Sequence, residues 1–306
     1  MTTPIARLRP LTGALLALSL IICGAPWSTS QVVSAQSQQL FLSVTDADGA
    51  PVTDLNPDEL LVKWDDQDCE TLNLEPIDWP VRITVFVDNG VGSQSALQNM
   101  REGLKLFVDE IPEEVEIALA TIAGRPRFVT RHTSDREELA RGIDLIVPDV
   151  APARFRDALI EEGERLDDDD ERQYFPVILM IATDGPEGST TQQEAYDDMV
   201  GRMIAASATV HTRLFSTGQG PGAQVPVAMN LSETTRGSYE SMAVSTGFRN
   251  MLPELGVEIA RKHRLVSSQY RVTYAPPDGV TNPTDMGVST NRGGVFLAPT
   301  LDGNVQ

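Results

Sequence analysis

Cysteine is nearly missing from this chain, with two in 306 residues. One of them, Cys23, falls in an amino-terminal stretch that reads as a leader, so the remainder keeps only Cys69 and cannot form an internal disulfide. Stability must then come from a packed core. Asp65, Asp66, Asp68 and Glu70 surround Cys69, and nearby negative charge works against a reactive thiolate. Histidine is also scarce: His132, His211 and His263 stand apart, without the spacing of a metal site. Basic charge is short, since 24 Lys and Arg face 44 Asp and Glu for a formal charge of -20, a balance that repels nucleic acid and anionic membranes. Past residue 36 no apolar run is long enough to span a bilayer. No Gly-x-Ser-x-Gly turn is present for serine hydrolase chemistry. Gly90-x-Gly92 lacks the third glycine of a dinucleotide loop, because residue 95 is Ser.

What is present begins with a processing signal. Arg7 and Arg9 precede an apolar stretch at 11–23, and Val33-Ser34-Ala35 supplies small residues for cleavage. The stretch is about a dozen residues, short of the roughly 20 that cross a bilayer as a helix. Residues 1–35 are therefore expected to be a signal peptide, and the protein to be exported, periplasmic or extracellular. Ile22 before Cys23 disfavours lipidation, which places a small residue there.

Residues 36–78 alternate in short apolar segments, at 40–44 and 59–64, between Asp48-Gly49-Ala50-Pro51 and Asn56-Pro57 turns. This predicts a short β element, too small for a core of its own, that leans on the larger domain after it. From residue 79 the pattern changes. Buried strands are predicted at 81–87, 115–122, 175–182 and 209–216, and amphipathic helices at 93–111, 135–146, 154–166 and 191–206. Ser134 is the expected N-cap of the second helix. Residues 226–240 read as a surface loop and helix, and 248–263 as a closing helix in which Pro253 and Gly256 mark irregularity. The acidic run 167–171 is expected to fray where it ends a helix. Residues 266–306 return to strands, at 269–274, 286–290 and 294–298, expected to pair with the amino-terminal element.

Strand and helix alternating in this order predict an α/β fold: a doubly wound, mostly parallel sheet flanked by helices over 79–265, with a small β subdomain built from both terminal segments. The working surface of such a sheet is the rim at the carboxyl ends of its strands.

Two apolar strands each run into an aspartate, Val85-Phe86-Val87-Asp88-Asn89-Gly90-Val91-Gly92-Ser93 and Ile178-Leu179-Met180-Ile181-Ala182-Thr183-Asp184-Gly185. Over residues 79–264 the chain resembles the von Willebrand factor type A family, whose first strand ends in Asp-x-Ser-x-Ser and whose fourth ends in Asp-Gly. The preface Asp46-Ala47-Asp48-Gly49-Ala50-Pro51-Val52 and the tail Tyr270-Arg271-Val272-Thr273-Tyr274 resemble, more narrowly, bacterial exported proteins of that family. The resemblance implies a metal-ion-dependent adhesion site. Asp88 and Asp184 match its carboxylates and are the candidate metal ligands. Gly90 and Gly92 stand at the two serine positions, and Ala153 falls at the threonine position. The resemblance thus implies a degenerate site, in which Ser93 or backbone carbonyls are the remaining donors for Mg²⁺ or Ca²⁺. From the residues alone, Asp88 could equally accept backbone N–H groups at the following helix start, with both glycines tightening the turn. The expectation is a non-enzymatic module that binds a protein or cell-surface ligand through the loops after Asp88, Ala153 and Asp184. The alternatives are an assembly component of an envelope complex, or a metal-dependent hydrolase at Asp88 and Asp184.

Overall fold

The β-branched run that reads as the first buried strand sits in the middle of the protein. In the computed structural model, which describes residues 38–65, 67–169, 171–218, 222–277, 286–301 and 303, thirteen strands and six α-helices succeed one another among the described residues. The proposed leader at 1–35, residue 170 of the acidic run and residues 278–279 of the tail turn lie outside the described residues.

The amino-terminal strands are β1 (Gln38–Asp46), β2 (Leu60–Trp64), β3 (Gln67–Asp68) and β4 (Glu70–Ile77). The α/β part runs β5 (Val81–Val87), α1 (Leu97–Glu110), β6 (Ile117–Thr121), β7 (Arg127–Thr133), α2 (Arg136–Leu145), α3 (Phe155–Asp167) and β8 (Phe175–Thr183). It continues with α4 (Gln193–Ala205), β9 (Thr209–Phe215), α5 (Gln224–Thr234), β10 (Tyr239–Met242) and α6 (Phe248–Val266). The tail adds β11 (Gln269–Ala275), β12 (Met286–Thr290) and β13 (Val295–Thr300).

The central sheet has the order β10-β9-β8-β5-β6-β7, parallel except for β7, which runs antiparallel to β6 with irregular register. Every residue of β8 is buried, and its alternation divides the core in two. Val177, Leu179 and Ile181 face α1, α2 and α6, while Ile178, Met180 and Ala182 face α3, α4 and α5. This is the doubly wound sheet that the strand and helix order implies.

Four local features depart from the sequence reading. β3, β4, β7 and β10 are strands where none is expected, β10 beginning inside the segment read as surface loop and helix, because all four are edge strands whose mostly exposed or half-exposed residues lack the apolar run of a buried strand. Helix α1 begins at Leu97, since residues 91–96 form turns closed by Ala96 and Leu97 N–H donating to the Ser93 carbonyl. The cap of α2 is Asp135, not Ser134: its Oδ1 accepts from the Glu137 and Glu138 amides at 2.9 and 3.0 Å. Helix α6 runs unbroken through Pro253, which lies near enough to its start to leave the later turns intact. The Asp135 cap gives a direct check. Asp135→Ala is expected to cost about 1 kcal/mol in urea unfolding, whereas Ser134→Ala should fall within about 0.5 kcal/mol of the parent.

At the acidic run, Arg202 pairs with Asp167 and Glu164, and the Tyr174 hydroxyl donates to Asp169. Helix α3 stops at Asp167, the first residue of the run, and these contacts join its end to α4 and to Tyr174.

The terminal segments form a small β-sandwich. One sheet has the order β13-β1-β11-β4 and the other β12-β2-β3, so each tail strand pairs with an amino-terminal one. Leu40, Leu42, Val62, Trp64, Val272 and Tyr274 fill the space between them. The Asp46 to Gly49 turn works as its residues require: Asp46 Oδ1 accepts from the Asp48 and Ala50 amides, and Gly49 takes φ +78°. Arg292 clamps tail to preface by donating to Glu59 and Asp54, and its hydrogen bonds, with that of the Asn56 amide, draw the Glu59 pKa down to about 2.

Candidate functional site

β5 and β8 are parallel neighbours with Val87 opposite Ile181, so the aspartates that come after them emerge on the same rim. Asp88 is 1% exposed. Its amide donates to the Ile181 carbonyl at 2.8 Å, its Oδ1 accepts from the Gly90 amide at 2.8 Å, and its Oδ2 accepts from the Thr183 hydroxyl at 2.7 Å. Burial pushes the Asp88 pKa up despite these bonds, and the charge of Glu187 adds to the rise. Asp184 engages the other side. Its Oδ2 accepts from the Ser216 hydroxyl at 2.7 Å, and its Oδ1 accepts from both the amide and hydroxyl of Thr217 at 2.6 Å. Burial works to raise its pKa too, but the bonds from Thr217 and Ser216 together outweigh it and hold the carboxyl low. The two acids are thus adjacent along the rim yet turned to different partners.

Both glycines between them are sites of close backbone approach. A Cβ on Gly90 would stand 2.7 Å from the Ala151 carbonyl oxygen, and one on Gly92 would stand 2.9 Å from Thr183 Oγ1 and 3.0 Å from Gly185 Cα. The facing loops therefore occupy the volume into which serine side chains would project. Ser93 is fully buried, and its hydroxyl donates to the Gly90 carbonyl at 2.9 Å. Ala153 is buried in isolated bridges to Ala123 and Glu187, and its carbonyl accepts from the Gly188 amide.

Other residues join these loops. Asn89 donates to the Val147 carbonyl at 2.8 Å and accepts from the Ala123 amide at 3.2 Å, while its own carbonyl accepts from the Asp149 amide at 2.7 Å. Glu187 accepts from the amides of Phe155 and Ser189, capping the start of α3. Gln224 donates to the carbonyls of Thr183 and Gly185. A cleft of about 360 Å³ opens beside Asp184, lined by Leu214, Ser216, Val225, Tyr239 and Ser241.

The donor set does not suit a divalent cation. Mg²⁺ needs oxygens free to converge in an octahedron, and Ca²⁺ needs more of them. Here the carboxylate oxygens of Asp88 and Asp184 accept hydrogen bonds from the protein, the Ser93 hydroxyl points to Gly90, and residues 90, 92 and 153 carry no oxygen side chain. Among the described residues no group of three His, Cys, Asp or Glu side chains is gathered closely enough to hold a metal.

Part of this rim escapes sequence reasoning. Thr183, Ser216 and Thr217 are ordinary strand-end hydroxyls until the sheet places them on a carboxylate. Asn89 and Glu187 are polar residues in polar loops. Val91, Val147 and Val150, at 45%, 59% and 88% exposure, stand on loops that Asn89 and the Val91 N–H bond to the Ala151 carbonyl hold together. The histidines stand elsewhere: His132 bonds Thr84, His211 bonds Ser238, and His263 Nδ1 accepts from the Val81 amide while Nε2 faces Glu114. Burial, helped by neighbouring arginines, draws His132 and His211 to about 3, so both are neutral packing groups.

No family model matches the chain, and no curated protein sequence matches it. Solved structures do. A von Willebrand factor type A protein from Catenulispora acidiphila superposes with a TM-score of 0.50 at 10% identity, covering 88% of this chain and 74% of that one. A conserved hypothetical protein, BatB from Bacteroides thetaiotaomicron, gives 0.46 at 14% identity, over 59% of this chain and 99% of its own. The VWA domain of SpRpn10 gives 0.44 at 11% identity, over 56% and 95%.

Proposed function

From the premise of a von Willebrand factor A-like fold, we propose that this chain is an exported, non-enzymatic module that binds a protein or surface ligand through its rim loops and needs no divalent cation to do so. One observation carries the reading: Val91, Val147 and Val150 stand exposed on loops locked to one another by side-chain and backbone hydrogen bonds. Apolar side chains on a rigid rim lose little entropy when covered by a partner. The carboxylates then serve as loop anchors, since Asp88 secures Gly90 and Thr183, and Asp184 secures residues 216 and 217.

The apolar rim can be tested without disturbing the core. In cross-linking from intact cells, Val147→Asp with Val150→Asp is expected to lose the partner that the parent retains, with and without chelator. Retention by the variant, or loss on chelation, contradicts the reading. Calorimetry of the mature chain with Mg²⁺, Ca²⁺ and Mn²⁺ should give no binding heat, and tight binding removed by Asp184→Ala would return the site to metal-dependent adhesion or hydrolysis. Export rests on Arg7, Arg9, the apolar stretch and Val33-Ser34-Ala35. Mass spectrometry of the exported fraction should find a chain that begins at Gln36.

A further inference from the structure

One margin of the central sheet opposes the charge of the whole. β7 is the last strand in the sheet order, and among the described residues no strand pairs with its outer side. Arg127 and Arg131 stand exposed on it, and Arg125 stands exposed in the turn before it. Among the described residues none of the three is held by an ion pair. The acids nearby are occupied: Glu162 accepts from Thr84 and pairs with Arg165, and Glu116 pairs with Arg82. Glu161 feels Arg125 and Arg165 but pairs only loosely with the latter, at 3.8 Å.

The Phe128 ring holds one of these cations, Arg131, without neutralising it, beside the paired Arg165. The Arg165 guanidinium lies 4.8 Å from the ring centroid and that of Arg131 lies 5.6 Å from it. Attraction to the ring face orders Arg131 and leaves its N–H donors for another group. In a chain of formal charge -20, this puts three arginines, none of them in an ion pair among the described residues, beside an open strand edge.

An open edge offers backbone N–H and C=O groups to any added strand. Charge decides which strand comes. A like-charged edge from a second copy is repelled, while carboxylates set across from arginines are attracted. We propose that β7 docks an acidic, extended segment of a partner protein by strand addition, with backbone pairing along β7 and carboxylates placed against Arg125, Arg127 and Arg131. This surface is separate from the valine rim.

The test titrates the full mature chain into a fluorescein-labelled peptide of alternating Glu and Val, with a Lys and Val peptide as control, and monitors hydrogen exchange across β7. The Glu peptide should bind and the Lys peptide should not. Raising salt should weaken binding, and R125E/R127E/R131E should weaken it about tenfold or more. Amides of β7 should exchange more slowly with the Glu peptide bound. If the triple variant fails to fold, Arg127→Gln and the exchange data carry the comparison. Absence of Glu-peptide binding overturns the proposal. Equal binding of heparin without slowed β7 exchange overturns it in favour of a general anion patch, and concentration-dependent self-association through β7 overturns it in favour of a second copy.

Discussion

Placing hydroxyls on the rim with Gly90→Ser, Gly92→Ser and Ala153→Thr is expected to destabilise the protein instead of creating a cation site. The first Cβ would enter the space of a backbone oxygen, at 2.7 Å from Ala151, and a carbonyl held in a bonded loop does not rotate away as a side chain would. The second would press on Thr183 Oγ1 and on Gly185 Cα. Overpacking of this kind costs about 1 to 3 kcal/mol per site. The sites share the facing loops, so their costs are not simply additive. A fall in thermal midpoint of about 10 °C is the expected scale, at about 2 to 4 °C for each kcal/mol in a domain of this size. Excess Mg²⁺ should not restore it. Ligand binding to the native state raises the midpoint by mass action, so a magnesium-dependent rise in the triple variant would show that the loops can open to take an ion.

Removing the Asp184 carboxylate should be the most damaging single change at the rim. Asp184→Ala takes away the acceptor for the Ser216 hydroxyl and for both donors of Thr217. Each buried donor left unsatisfied costs about 1 to 3 kcal/mol, and access of water to this partly open loop moderates the sum to about 3 kcal/mol. The pH dependence separates the two acids. The Asp184 pKa is lowered on folding, so its contribution is full above the unfolded value near 3.8 and is lost as pH falls through the lower folded value. The Asp88 pKa is raised, so the native state binds the extra proton: stability from this group declines as pH rises from 3.8 through the folded value. Asp88→Asn mimics the protonated acid. It should gain on the parent at neutral pH and lose that gain on acidification toward about 4, whereas Asp184→Asn should be worse than the parent at neutral pH and converge with it only in stronger acid. Urea unfolding of both variants across this range is the measurement. Parallel pH profiles for the parent and Asp88→Asn would remove the buried-charge account of Asp88.

Much of the fold is legible in the sequence because burial leaves a pattern. Phe175 to Ala182 is apolar on both faces, as a strand covered by helices on each side must be, Val81 to Val87 is an apolar run broken only by Arg82 and Thr84, and the helices between them carry apolar residues at three- and four-residue spacing. The edge strands β12 and β13 still show by alternation, whereas β3, β4, β7 and β10 have mostly exposed or half-exposed residues with no apolar run, which is why they do not show in the sequence and why the basic margin of β7 has no place in it. At the rim, Asp88, Gly90, Gly92 and Asp184 stand out by their positions after apolar strands. Their partners do not, because Ser216 and Thr217 reach Asp184 from about 30 residues away and Ala151 reaches Gly90 from about 60, as only chain crossovers between adjacent strands allow.

The amino-acid order by itself determined where strands and helices alternate, which two carboxylates follow the central strands, and that Gly90 and Gly92 come directly after the first of them. Tertiary packing alone decided what those carboxylates do. A carboxylate is an acceptor for a metal or for an N–H with equal chemistry, and the loops that close over Gly90 and Gly92 bring amides and hydroxyls onto Asp88 and Asp184. A composition can record that an oxygen is present, but only the folded arrangement fixes which donor reaches it first.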